Sequence, residues 1–215
     1  MPKLGMEPIR RAALVNATIE EIGRAGSLDV TVGQIARRAG VSAALAHHYF
    51  GGKEQILLAA MRHILTQYGT TVRQALEGAV EPRQRLEAIA EASFTTGQFR
   101  PEVVGAWLNF YVQAQGNPSA RRLLTVYQRR LRSNLLVALR PLAGARAEMI
   151  AETLAALIDG IYIRAALAPE RFAAAAGGEG APATDGDPEG STEQAARIAA
   201  ARVIETADLL IRQGA

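Results

Sequence analysis

Apolar residues recur at intervals of three and four along most of the chain, and no segment shows the alternation of a half-buried strand, so the pattern predicts an all-α protein. Ala12, Val15, Ile19 and Ile22 form the first stripe, closed by Ala25 and Gly26. A short second helix follows, with Thr31 as its cap, Gln34 completing a capping box, and Ile35, Ala36 and Ala39 on its apolar side. Gly40 breaks it. Val41 leads in, and Ser42 caps a third helix over residues 43–50. Lys53 opens a longer helix through Ile56, Ala60 and Ile64. Glu81 with Pro82 starts another, ending near Gly97, and Arg100 with Pro101 starts the next, which stops at Gly116. Asn117 and Pro118 cap a helix that carries Arg121, Arg122, Arg129, Arg130 and Arg132 on its exposed side and ends before Pro141.

Two further helices complete the pattern. Over residues 145–168, Ile150, Leu154, Leu157, Ile158, Ile161 and Ala165 make one stripe, and Ala155, Ala156, Ile163 and Ala166 leave little polar surface, which predicts burial nearly all round. Over residues 192–213, Ala196, Ala200, Val203, Ile204, Ala207, Leu210 and Ile211 recur at helical spacing. Periodicity alone serves intrachain packing and a four-helix interface with a second copy equally. Between the two lies GGEGAPATDGDPEGS, residues 177–191, with nothing to bury, which predicts a flexible acidic loop.

The second and third helices are joined by about three residues, too few for antiparallel packing, so they cross steeply in the manner of a helix-turn-helix. In that arrangement the first helix braces the backbone while the second enters a major groove. An ordinary helical corner would carry large apolar residues on its second helix. This one carries Ala43, Ala44, Ala46, His47 and His48. Those positions assign Ala43, Ala44, His47 and His48 to base edges, and Ser42, Tyr49, Lys53 and the Thr31 cap to phosphate.

Composition adds to this reading in two respects. The formal charge of +3 over 215 residues is uneven: eight basic side chains oppose five acidic ones in residues 1–65, which also hold all three histidines. The absence of cysteine removes disulfides, thiolate metal sites and a cysteine nucleophile. No apolar run reaches the length of a membrane span or signal peptide, so a cytoplasmic protein without membrane association is expected.

The run over residues 31–56 resembles the DNA-binding domain of the TetR family of bacterial repressors, with Ile35, Ala36, Gly40, Val41, Ser42, Phe50, Lys53 and Glu54 at the family's spacing. The family usually has Gly where Ala44 stands and Tyr where His47 stands, so an imidazole replaces a phosphate-binding phenol. The resemblance implies a three-helix DNA-binding domain, placed at residues 1–52, and a C-terminal helical domain for ligand binding and dimerisation over residues 53–215. It also implies a homodimer on double-stranded DNA. MPKLGMEPIRR, QIARRAGVS, HHYF, Trp107-Leu108, Phe110-Tyr111 and LAALIDGIYIRAALA are similar to the branch that represses choline uptake and glycine betaine synthesis. That branch responds to choline. The alternative is a relative answering another cationic or amphipathic small molecule.

A quaternary ammonium ligand offers no hydrogen bond of its own from nitrogen, so aromatic faces and a carboxylate are what bind it. Trp107, Phe110 and Tyr111 stand at i, i+3 and i+4 of one helix, and Asp159 and Tyr162 at i and i+3 of another. Core packing explains the same spacing; the family resemblance favours the ligand. Phe94, Phe99 and Tyr127 are lesser candidates, each isolated in its segment. Adjacent His47 and His48 point about 100 degrees apart on a helix and do not chelate one metal. With no catalytic triad, phosphate loop or HExxH motif, neither an enzyme nor a cofactor is expected.

Overall fold

The computed structural model describes residues 5–95, 97–167 and 188–213. Their order is α1 (Met6–Ala25), α2 (Val32–Arg38), α3 (Ala43–Phe50), α4 (Lys53–Glu77), α5 (Pro82–Ser93), α6 (Pro101–Gly116), α7 (Pro118–Ala143), a 3-10 turn (Gly144–Arg146), α8 (Ala147–Leu167) and α9 (Pro188–Arg212). No strand occurs among the described residues. The chain is all-α, with a helix-turn-helix near its N-terminus.

Two compact units form: Met1–Thr66 with Pro101–Leu124, and Gln67–Arg100 with Thr125–Ala215. This division departs from a boundary at residues 52 and 53. The first half of α4 and all of α6 belong with the N-terminal helices. The reason is a close approach of α6 to α1: a Cβ on Gly23 would lie 2.8 Å from the Glu102 carbonyl oxygen and nearer still to its Cα, and one on Gly105 would lie 3.4 Å from Gly23 Cα. Only glycine admits backbones so close. Leu14, Ile22, Ile35, Ala46 and Ile56 are buried in this unit, whereas Ala12, expected in the first stripe, is exposed and Leu14 and Thr18 face inward instead.

In the second unit α9 packs against α5 and α8. Leu86, Ile89, Leu135, Leu139, Ile150, Leu154, Ile158 and Val203 are fully buried. Four element expectations need correction. The helix from Pro82 ends at Ser93 rather than near Gly97, because Phe94 leaves helical dihedrals (φ −121°, ψ 29°) and turns its ring into the core. The helix from Pro118 continues through Pro141 to Ala143; at an exposed last turn the missing N–H leaves only a carbonyl that water reaches. α8 is buried on one side only, since Ala156 and Ile163 are exposed in the single chain. Finally, residues 188–191 are not loop but the first turn of α9, where the fixed φ of proline suits the first helical position. The remainder of the expected acidic loop, residues 177–187, lies outside the described residues.

The Gly23 contact predicts opposite outcomes for two Gly→Ala substitutions in helices. Gly33 is exposed and its Cβ would touch only Thr31 Oγ1 at 3.8 Å, so Gly33→Ala should be neutral or stabilising by up to about 1 kcal/mol. Gly23→Ala should destabilise by about 1 to 2 kcal/mol, overpacking outweighing the propensity gain. Urea denaturation measures both. Equal effects would contradict the close α1–α6 approach.

Candidate functional site

The N-terminal site is built by two caps and a turn. Thr31 Oγ1 accepts from the Gln34 backbone N–H at 3.1 Å while Gln34 Oε1 accepts from the Thr31 backbone N–H at 2.7 Å, closing the capping box that starts α2. Gly40 turns the chain in the left-handed region (φ 68°), and the Val41 N–H reaches the Ala36 carbonyl at 2.9 Å. Ser42 Oγ then accepts from the Leu45 N–H at 3.2 Å, capping α3. Arg38 pairs with Glu20 at 3.3 Å and with Glu21, tying α2 to α1, and the Glu21 carboxylate raises the Arg38 pKa further.

On α3, Ala46 is the buried side chain, whereas Ala43, Ala44, His47 and His48 are exposed on one face at i, i+1, i+4 and i+5. Ser42 and Thr31 are exposed at the N-terminal ends of their helices; Tyr49 is half-buried in the last turn of α3 and Lys53 half-buried at the start of α4. The expected base-edge residues thus share one outward surface free of large apolar groups.

The five expected ligand residues divide between the two units. In the first, Trp107 stacks on Tyr111 (centroids 5.8 Å apart, planes at 29°) and meets Phe110 edge-on at 6.0 Å. Asp159 and Tyr162 lie in the second, and there the three lesser candidates join them. Phe94, Phe99 and Tyr162 form a triangle with centroids 5.5 to 5.6 Å apart. Tyr127 Oη donates to Asp159 Oδ1 at 3.3 Å, and the Tyr127 ring packs edge-on against Tyr68 at 5.4 Å. Tyr68 Oη and Ser93 Oγ share a hydrogen bond at 3.2 Å, Ser93 Oγ donates to the Ile89 carbonyl at 2.8 Å, and Tyr162 Oη donates to the Ser93 carbonyl.

Burial pushes the Tyr68 hydroxyl up to about 12 and Tyr162 well above its ordinary value, with the Asp159 charge raising both further. Both phenols are neutral hydrogen-bonding groups around a carboxylate. A cleft of about 580 Å³ between α5 and α9 is lined by Phe94, Ala200 and Ile204 together with Glu91, with Glu87, which pairs with Arg83, and with the Glu193–Arg197 ion pair. It therefore reaches the ring that stacks on Tyr162. Sequence reasoning missed Tyr68 and Ser93. Tyr68 continues the Ile56, Ala60, Ile64 stripe by one more turn, a signal available in the spacing, but nothing in the spacing connects Ser93 to it. Among the described residues no group of histidine, aspartate and glutamate side chains is placed to hold a metal, and no helix is long and apolar enough to cross a membrane.

The family model for bacterial regulatory proteins of the tetR family matches residues 14–60, and that for the BetI-type transcriptional repressor C-terminal domain matches residues 82–179. The HTH-type transcriptional regulator BetI of Rhizobium meliloti is 55% identical over 168 residues, covering 78% of this chain and 83% of that protein. A transcriptional regulator from Pseudomonas aeruginosa PAO1 superposes with a TM-score of 0.72 at 26% identity, covering 99% of this chain and 97% of its own. A regulator from Saccharomonospora viridis, crystallised in complex with choline, superposes at 0.70 with 23% identity, covering 89% and 95%.

If Lys53, at the start of α4, holds phosphate as the sequence leads one to expect, Lys53→Ala should weaken binding to all duplexes alike and flatten the salt dependence by about one unit of log slope. A changed sequence preference would contradict the phosphate assignment. The raised Tyr68 pKa predicts a loss of stability in alkali: the unfolded chain gives up this proton near pH 10 and the folded chain holds it to about 12, so stability present below pH 10 falls as pH rises toward 12. One such group contributes a slope of up to about 1.4 kcal/mol per pH unit. Denaturation between pH 9 and 11.5 should show a shallower decline in Tyr68→Phe.

Proposed function

Because this chain belongs to the tetR family of bacterial regulatory proteins, as a transcriptional repressor with a BetI-type C-terminal domain, we propose that it represses genes for choline uptake and conversion to glycine betaine, and that choline relieves the repression. The observation that carries the ligand assignment is Asp159, a carboxylate hydrogen-bonded to Tyr127 and electrostatically coupled to Tyr68 and Tyr162, with Phe94 and Phe99 completing the aromatic wall. Ring quadrupoles attract a trimethylammonium group, the carboxylate balances its charge, and Asp159 accepts the choline hydroxyl hydrogen when Tyr127 yields it. The alanines and Ile204 of the cleft lined by Phe94 also suit an amphipathic cation, which is the second reading.

Ala43, Ala44, His47 and His48 read bases in this proposal, and Thr31, Ser42, Tyr49 and Lys53 hold phosphate. The regulator acts as a homodimer through α8 and α9, whose outward sides leave Met149, Ile163 and Leu209 exposed in the single chain. Two reading helices then engage half-sites about 34 Å apart, or a multiple of that, in an inverted repeat. Choline acts by favouring a pair arrangement that fits adjacent half-sites less well.

Calorimetry tests the ligand. Choline should bind the parent at micromolar to millimolar concentration, and Asp159→Asn should bind roughly tenfold or more weakly with DNA affinity intact. Phe99→Leu, which removes one ring of the aromatic wall at similar volume, is expected to repress normally yet respond weakly to choline. Unchanged choline affinity in both folded variants would place the site elsewhere, and tighter binding of a longer amphipathic cation would favour the second reading. Light scattering at micromolar concentration should give the mass of a dimer, and Leu209→Arg, on the outward side of α9, should give monomers or insoluble protein; a monomeric parent would contradict the interface.

A further inference from the structure

We propose that Arg11, on α1 and outside the helix-turn-helix, is a positioning residue for sequence reading: it fixes the C-terminal end of α3 and with it the direction in which α3 presents its exposed face. The inference rests on α3 being the DNA-reading helix. α3 is eight residues long and fully buries one side chain, Ala46, with Leu45, Tyr49 and Phe50 half-buried, so this small packed area leaves its direction dependent also on what holds its ends. Ser42 holds the first end. At the other, Arg11 Nη1 donates to the Tyr49 carbonyl at 2.7 Å, and the guanidinium carbon stands 4.5 Å from the Phe50 ring centroid and 5.9 Å from that of Tyr49.

A guanidinium is suited to this place for three reasons. The last carbonyls of a helix have no partner within it, and a cation there also opposes the negative end of the helix dipole. The planar group lies over an aromatic face while its N–H edge reaches a carbonyl, a combination that an ammonium, as a compact point charge, does not reproduce. Glu7, one turn earlier on α1, meets the same Nη1 at 3.5 Å. Arg11 is thus engaged by a carbonyl, a ring and a carboxylate, and this distinguishes it from a side chain reserved for phosphate.

The test compares full-length parent, Arg11→Lys and Arg11→Met on two duplexes across a salt series. One duplex is enriched by the parent from a random pool; the other is a scramble of it. Arg11→Lys keeps the charge and should still bind the enriched duplex roughly tenfold more weakly than the parent, with scrambled-duplex affinity and salt slope unchanged. Arg11→Met should show the same selective loss, and amide exchange over residues 47–51 should quicken in both. Equal losses on the two duplexes with full rescue by lysine would make Arg11 a phosphate contact and overturn the proposal. So would an unchanged preference in folded variants, or failure of both to fold. If the parent enriches no duplex, the DNA-reading assignment itself fails and the proposal falls with it; enrichment by the parent with no selective loss in the variants defeats the proposal alone.

Discussion

The constraint on which the N-terminal unit depends is that α3 must leave one face bare and still be held in a single orientation. A helix presenting small and polar side chains outward on Ala43, Ala44, His47 and His48 has little apolar area left to bury, and here only Ala46 is fully buried, with Leu45, Tyr49 and Phe50 half-buried. Hydrophobic burial therefore orients it only in part. Directional bonds at its ends complete the orientation: the Ser42 cap, the turn through Gly40, and Arg11 on the Tyr49 carbonyl. The bracing helix is fixed similarly, by a capping box at Thr31 and by Arg38 on Glu20 and Glu21. Exposed ion pairs contribute little stability, so the value of these contacts is geometric.

The second unit solves a different problem, the burial of polar groups. Tyr68, Tyr162 and Ser93 are all buried, and each finds a partner in the others or in a helix carbonyl, which offsets the desolvation that an isolated hydroxyl would suffer. Ser93 is the junction: its hydroxyl meets Tyr68 and its carbonyl meets Tyr162. Asp159, coupled to the phenols, gives this otherwise aromatic region a negative charge, and the proposed use of that charge is to hold an organic cation.

What was legible in the sequence was local. Caps, proline and glycine punctuation and helical stripes mark α2, α3, α6 and the starts of α4, α5 and α7 within a residue or so, because each of those signals is a bond between near neighbours. The misjudged features depend on distant partners. Pro141 does not stop α7 where the affected turn faces water, and within the single chain α8 is less enclosed than its composition suggests. The grouping of α6 with α1 turns on Gly23 and Gly105, which are unremarkable until the two helices meet. For the ligand, periodicity singled out Trp107, Phe110 and Tyr111 because they are neighbours on one helix. Phe94, Phe99 and Tyr127 looked isolated, and the fold gathers them from three segments around Tyr162 and Asp159.

The central claim is that an organic cation and operator DNA compete through the conformation of one protein, and thermodynamic linkage gives it a direct measurement. Fluorescence anisotropy of the full-length protein on a duplex from upstream of its own gene, with and without saturating choline, yields the factor by which choline changes DNA affinity. Calorimetric titration of choline into free and DNA-bound protein yields the reciprocal factor. Choline should weaken DNA binding, and the two factors should agree. Choline binding of equal strength to free and DNA-bound protein, with operator affinity unmoved, would contradict the central claim.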